Sequence, residues 1–202
     1  FTFSDFFLST IFFTETQIFS IFQSIFFHKK YKCDNLSMES FNMNYGIKLK
    51  DLRDLYELTQ EDIAKVLNVA RSTYNQYEQQ YDIIPIKHLN TLCNHFKISI
   101  DYIFDFTTIK KYQDEISKID TKISGERLKE LRKEFNLTQT KLAKKLNIVN
   151  TIISEYEHGN FPISTATLYS LSNEFHISSD YLLGKTNKVK YLGKAKEKEL
   201  IG

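Results

Sequence analysis

The 202-residue sequence has little of what an enzyme or a metalloprotein requires. It contains two cysteines, Cys33 and Cys93, without the spacing of metal ligands, and its five histidines form no metal or triad arrangement. It shows no acidic metal cluster and no nucleophile–base set. We therefore expect no catalytic residue, no metal and no cofactor, with Cys93 as a small, reduced core residue in a cytoplasm.

The chain also lacks a large net charge, since its formal charge is only +2. It has 27 Lys and Arg against 25 Asp and Glu, so any positive field that attracts a nucleic acid must be local.

A clean hydrophobic run is missing too, although residues 1–27 contain ten of the seventeen Phe. About twenty uninterrupted apolar residues are needed to cross a membrane, and Asp5, Glu15, Gln17 and Gln23 interrupt this segment. Three interpretations compete: a membrane helix or signal peptide, an apolar interaction segment, and translated sequence upstream of a start at Met38 or Met43. We favour the third, and we expect residues 1–45 to lie outside the fold.

What the sequence does contain is a long internal repeat. The stretch TQEDIAKVLNVARSTYNQYE at residues 59–78 recurs 79 positions later as TQTKLAKKLNIVNTIISEYE at residues 138–157. The flanking segments repeat at the same offset, so the two units cover residues 46–106 and 125–185. Two copies in register predict tandem domains.

Within each copy the pattern predicts short helices separated by tight turns. Thr59 and Thr138 suit the N-cap of a helix, and Asn68 and Asn147 suit the left-handed turn after it. After the second helix the copies differ, because the first lacks the glycine that the second has as Gly159. The backbone of that turn in the first copy stays open.

The repeated stretch strongly resembles the helix-turn-helix of the XRE family of bacterial and phage repressors, the Cro/C1 type. The resemblance extends over the flanking helices and implies an all-α fold of two tandem five-helix, lambda-repressor-like domains. It further implies sequence-specific binding of double-stranded DNA, with the second motif helix in the major groove, and transcriptional regulation in a prokaryote as a repressor. Such a protein is expected in the cytoplasm, associated with the nucleoid, and not in a membrane.

The resemblance also assigns roles to residues of this chain. Gln60 and Gln139 match a Gln beside the DNA backbone, which bonds a phosphate or braces a base-reading side chain. The base-reading positions of the first copy are Arg71, Ser72, Asn75 and Gln76, with Thr73 able to reach a phosphate; those of the second are Asn150, Thr151, Ser154 and Glu155. Ile152 is expected to meet a thymine methyl group. Two pairs, Arg53 with Glu78 and Arg132 with Glu157, match a structural ion pair of the family.

Charge distinguishes the two copies. Residues 46–106 have seven Lys and Arg against nine Asp and Glu, whereas residues 125–185 have eight against seven. Two alternatives to DNA binding follow: a protein-interaction module, in which the acidic first domain no longer binds DNA, and a subunit of a nucleic-acid enzyme, which the missing catalytic set argues against. If both domains bind, their different reading residues predict one asymmetric site with two unlike halves.

The linker, residues 107–124, spaces Ile109, Tyr112, Ile116, Ile119 and Ile123 at three and four positions. This pattern predicts an amphipathic helix that either packs on its own domains or pairs two chains as a homodimer through the 109–123 stripe. The tail, residues 186–202, carries five Lys and two Glu. We expect a solvated, partly frayed end, with a phosphate-contacting arm as the alternative.

Overall fold

The computed structural model describes residues 43–193, and both repeats in that range are helical. The first repeat contains α1 (Tyr45–Leu55), α2 (Gln60–Leu67), α3 (Arg71–Glu78), α4 (Ile86–Phe96) and α5 (Ile100–Ile103), and the second contains α6 (Thr121–Glu134), α7 (Gln139–Lys145), α8 (Asn150–Glu157), α9 (Thr165–Phe175) and α10 (Ser179–Leu182). The predicted all-α architecture with five helices per repeat is confirmed. No helix between residues 43 and 193 is long and apolar enough to cross a membrane.

The helix ends follow side-chain chemistry that both repeats share. The hydroxyls of Thr59 and Thr138 accept hydrogen bonds from the N–H of the third helical residue, at 3.2 Å and 3.1 Å. They thereby satisfy N–H groups that have no partner inside the helix. Asn68 and Asn147 follow with φ of 55° and 52°, in the left-handed region that Asn tolerates. Caps and turns therefore set the angle between α2 and α3, and between α7 and α8.

Two glycines allow the first helix of each repeat to approach the end of the motif. A Cβ atom on Gly125 would lie 2.5 Å from the main-chain oxygen of Tyr156, and one on Gly46 would lie closer still to that of Glu78. Because the obstructing atoms belong to the backbone, a side chain at either position would force the two helices apart.

The turn after α3 has the same backbone as its counterpart, although it contains no glycine. Gln80 has φ of 57°, and Gly159 at the equivalent position has φ of 70°. The Gln80 side chain stabilises this conformation, because its Oε1 accepts a hydrogen bond from the Gly46 N–H at 3.2 Å and its amide donates to the Met43 carbonyl. The first copy therefore makes the turn with a side chain where the second uses a glycine.

Part of the segment that we expected to lie outside the fold belongs to the first core. Met43 and Tyr45 are 3% and 1% exposed. The Tyr45 hydroxyl accepts a hydrogen bond from the Ile84 N–H at 3.1 Å, and this contact fixes the residue inside the domain. The expectation for residues 1–42, including their mis-assigned start, lies outside the described residues.

The predicted linker helix is wrong for residues 107–120. Helix α5 ends at Ile103 and α6 begins at Thr121, so only the last four linker residues are helical. The intervening main chain bonds to the domains instead: the Ile116 N–H donates to the Lys185 carbonyl at 2.8 Å, and the Asp120 N–H donates to the Leu183 carbonyl at 3.1 Å. Because these N–H groups are already paired, residues 107–120 do not form the helical stripe on which the predicted homodimer seam depends.

The tail also departs from expectation where it is described. Thr186 is buried, and its hydroxyl donates to the Asp114 carboxylate at 2.7 Å. Further on, the Ser178 N–H donates to the Lys190 carbonyl at 3.0 Å. Residues 186–193 therefore pack against the second domain and the linker, and they are not a solvated end. Residues 194–202 lie outside the described part of the chain.

Candidate nucleic-acid interface

The start of α3 presents polar side chains to solvent. Arg71, Ser72 and Gln76 are exposed, Thr73 and Asn75 are half-buried, and the opposite side of the helix is buried in the domain core. All five positions of α3 that the sequence assigned to DNA contact therefore lie at least partly at the surface.

Helix α8 presents the equivalent surface with different chemistry. Asn150 and Thr151 are exposed, whereas Ser154 and Glu155 are half-buried. Ile152 is only 6% exposed, so the expected contact of its side chain with a thymine methyl group is wrong. Its position in the helix turns it toward the domain core, whereas the equivalent Thr73 of the first copy is half-buried.

An arginine–glutamate pair anchors each of these helices from beneath. In the second domain, Arg132 Nε lies 2.5 Å from Glu157 Oε1, and Arg132 Nη2 lies 3.0 Å from Glu157 Oε2. In the first domain, Arg53 bonds Glu78 in the same way, at 3.0 Å and 3.3 Å. Each guanidinium also donates to a carbonyl just before the motif, that of Leu58 or its equivalent Leu137. The pair therefore ties the first helix of the domain to the end of the second motif helix.

The two glutamates are nearly inaccessible, since their side chains are 2% and 3% exposed. Burial raises the pKa of the Glu157 carboxyl, but the hydrogen bonds from Arg132 and Gln139 outweigh burial and leave that pKa below its ordinary value. For Glu78 the same balance, with Arg53 and Gln60 as donors, also leaves the pKa lowered. Both carboxylates are therefore ionised at neutral pH and hold their partners in place.

Gln60 and Gln139 lie between this anchor and the surface. Gln60 Nε2 donates to Glu78 Oε1 at 3.1 Å and to Asn75 Oδ1 at 3.0 Å. Gln139 Nε2 donates to Glu157 at 2.9 Å. Of the two roles expected for this glutamine, the geometry favours bracing in the first domain, because Gln60 links the buried ion pair to Asn75, one of the residues predicted to read bases.

An open cleft lies beside the start of α3. It is lined by Arg53, Leu58, Thr59, Gln60, Glu61 and Arg71. An exposed guanidinium next to an amide and a hydroxyl can bind a phosphate group or the edge of a guanine.

The surroundings of α8 are more basic. Its partner helix α7 carries the exposed Lys141, Lys144 and Lys145 and no acidic residue, whereas α2 carries Lys65 together with Glu61 and Asp62 in its first turn. The carboxylate of Glu155 accepts a hydrogen bond from Asn160 Nδ2 at 2.7 Å, which orients it at the surface. Sequence reasoning did not identify Asn160, because the equivalent residue of the first copy is Tyr81, which is not an amide.

Comparison with known proteins agrees with this geometry. Residues 49–103 match a helix-turn-helix family and residues 125–188 match a helix-turn-helix domain family. The described chain thus consists of two helix-turn-helix domains in tandem.

Individual relatives show which kind of helix-turn-helix protein the chain resembles. The chain is 49% identical over 61 residues to the HTH-type transcriptional regulator ImmR of Bacillus subtilis (strain 168), a match over 30% of this chain and 48% of that protein. It is 33% identical over 63 residues to the uncharacterized HTH-type transcriptional regulator YobD of the same strain, over 31% and 56% of the two chains. These matches, with the two five-helix domains, identify the chain as an XRE-family protein with tandem helix-turn-helix domains. The matched region spans about half the length of these regulators. No solved structure matches significantly.

Proposed function

We propose that the chain binds double-stranded DNA sequence-specifically through the first turns of α3 and α8. We further propose that it regulates transcription in a prokaryotic cytoplasm, at the nucleoid, as a repressor. One observation carries the proposal: in each domain a short helix presents polar side chains at its exposed start, while a buried Arg–Glu pair holds its other end. The names of the matched relatives support the regulatory part.

In the first domain the chemistry suits direct base readout. Arg71 is exposed and carries a guanidinium that can donate two parallel hydrogen bonds to guanine O6 and N7. Asn75 and Gln76 carry amides that can pair with adenine N6 and N7. Because Gln60 already bonds Asn75, that amide is held in one orientation before DNA arrives. The Ser72 hydroxyl completes the base-reading set, and the Thr73 hydroxyl can donate to a phosphate oxygen.

In the second domain the reading residues are smaller. Asn150 can read adenine, the Thr151 methyl can touch thymine, and Ser154 can bond either a base or a phosphate. Glu155 can accept from cytosine N4, although a carboxylate near phosphates lowers affinity. The lysines of α7 compensate for that carboxylate, because phosphate neutralisation supplies most of the sequence-independent binding energy.

The test is selection of binding sites from random duplex DNA with the full chain, followed by affinity measurements on variants. Arg71→Ala should weaken binding to the selected site by about 1–3 kcal/mol and relax the preference at one base pair. Arg71→Lys is the matched control, because it keeps the positive charge but loses the bidentate fork. Arg71→Lys should retain a larger fraction of the wild-type affinity on random DNA than on the selected site.

Equal losses on selected and random duplexes for Arg71→Ala would refute the base-reading role. A homodimer through residues 109–123 is not part of the proposal, since most of that stretch is not helical.

A further inference from the structure

The short last helices of the two repeats meet each other. The Asp101 N–H donates to the Asp180 carboxylate at 2.9 Å, and the Ser179 N–H donates to the Asp101 carboxylate at 2.6 Å. Asp101 and Asp180 are equivalent residues, at the repeat offset of 79 positions. A surface that meets its own counterpart defines a two-fold relation, whereas a head-to-tail array joins two different surfaces. The two domains of one chain are therefore related by an approximate two-fold axis near this pair.

The flank of this contact is aromatic on one side. Phe104 and Phe106, which follow α5, pack on Tyr169 of α9 with ring centroids 5.3 Å and 5.2 Å apart. A second contact lies nearby, where the Thr165 hydroxyl donates to the Ile84 carbonyl at 2.5 Å. Helix α9 of the second domain thus packs directly on the first domain.

On the opposite flank the equivalent positions of the two domains are separated by the linker. There Lys185 stands at the position of Phe106, and Asn90 stands at that of Tyr169. The Ile116 N–H donates to the Lys185 carbonyl at 2.8 Å, and Asn90 Nδ2 donates to the Ser117 carbonyl at 2.9 Å. The linker backbone therefore fills the space that rings occupy on the first flank, so the two-fold relation persists although the side chains differ.

This interface is buried, and its two carboxylates are held by hydrogen bonds and by an ion pair between Asp180 and Lys185. Asp101, Asp180, Ser178 and Ser179 are 0% exposed. Besides the Ser179 N–H, the Asp101 carboxylate accepts hydrogen bonds from the Ser178 hydroxyl and, at 2.9 Å, from the Tyr112 hydroxyl. Separating the domains would break these hydrogen bonds together and replace them by bonds to water, while the flanking rings would lose their packing. The orientation of the two domains is therefore fixed.

We propose that a single chain reads one DNA site composed of two unlike half-sites in inverted orientation at a fixed spacing. This inference rests on the proposed function. A two-fold protein presents its reading helices in opposite directions, and operator symmetry mirrors protein symmetry. The halves differ because Arg71 and Asn75 stand in one head where Asn150 and Ser154 stand in the other. The chain thus acts as a complete, asymmetric counterpart of a repressor dimer.

The experiment uses the full chain and its selected duplex. Matched duplexes carry one half reversed in place, five base pairs inserted at the centre, or one half scrambled. Five base pairs rotate the halves by about half a helical turn, given roughly 10.5 base pairs per turn. We expect one chain per duplex and a loss of about 100-fold or more for each altered duplex, because the second head loses the advantage of tethering.

Unchanged affinity for the reversed or lengthened duplex would show that the heads act independently, and would overturn the inference while leaving the proposed function intact. Two chains per duplex would overturn it as well. Failure to enrich any sequence would reject the proposed function itself.

Discussion

The Arg132–Glu157 pair gives a stability prediction that the structure defines closely. Glu157 is 3% exposed at its side chain and accepts hydrogen bonds from Arg132 and Gln139. In Glu157→Gln one carboxylate oxygen becomes an amide NH2. That group would face Arg132 Nε if it replaced Oε1, or Arg132 Nη2 and Gln139 Nε2 if it replaced Oε2, and none of these donors can turn to solvent without breaking the anchor.

The expected loss is about 3 kcal/mol, at the lower end of what breaking a buried ion pair costs, because the second oxygen can still accept. If the two domains unfold together, such a loss lowers the melting temperature by about 10 °C. Thermal unfolding followed by circular dichroism measures it directly.

The same substitution should also change the dependence of stability on pH. The pKa of the Glu157 carboxyl lies below its ordinary value of 4.5 in the folded chain, so folding favours the ionised form. Its contribution is fully present above pH 4.5 and is lost as the pH falls through the lowered folded pKa. The difference between the wild type and Glu157→Gln should therefore begin to shrink below about pH 4.5, where the carboxyl of the unfolded wild type takes up a proton. It should be smallest once the pH lies below the lowered folded pKa, because both folded chains then carry a neutral side chain.

The matched control is Glu174→Gln in the same domain. Glu174 lies 2.5 Å from Lys145, but both side chains are more than 40% exposed. Solvent screens such a pair, so this substitution should cost less than about 1 kcal/mol. If Glu157→Gln costs no more than Glu174→Gln at pH 7, the anchor does not stabilise the domain and the reasoning fails.

Three further substitutions test other parts of the fold, all by thermal unfolding. Gly125→Ala should destabilise by about 1–3 kcal/mol because its Cβ would meet backbone atoms, whereas Gly193→Ala, with nothing within 4 Å of its Cβ, should have no such effect. Thr138→Ala should cost about 1 kcal/mol through the lost cap. Burial, with the nearby Asp180 carboxylate, raises the pKa of Asp101 from 3.8 to about 7. The folded chain therefore binds that proton more tightly, stability should fall as the pH rises from about 4 to 7, and Asp101→Asn should remove this slope.

Much of the fold is predictable from local chemistry. Thr59 and Thr138 mark helix starts because a hydroxyl can replace an absent backbone acceptor, and Asn68 marks a helix end because Asn tolerates positive φ. These effects act within a few residues, so the sequence displays them directly. The positions of Arg71 and Asn150 at exposed helix starts follow from the same caps and turn residues, because the turn before each helix fixes where its first exposed residues lie.

The linker and the tail could not be predicted in this way. Apolar residues at three- and four-residue spacing indicate a helix only where no distant group competes for the backbone. Here Tyr112 is drawn into the interior by Asp101, and Lys185 is buried beside Glu115 and Asp180 at 2.9 Å and 3.2 Å. A lysine is normally an exposed residue, and only partners from other parts of the chain make its burial favourable. Sequence spacing carries no information about such partners.

Joining the two domains in one chain also explains why their interface can be asymmetric. In a homodimer every contact near the axis occurs twice, so a lysine brought in to balance the Asp101–Asp180 carboxylates would have to appear on both flanks. In this chain the two flanks differ: Lys185 pairs with Asp180 on one side, while Phe106 packs on Tyr169 on the other. Tethering raises the local concentration of each domain for the other, so association does not depend on a large apolar surface. A central contact made largely of hydrogen bonds, which fixes orientation more strictly than apolar packing does, is then compatible with a stable pair of heads.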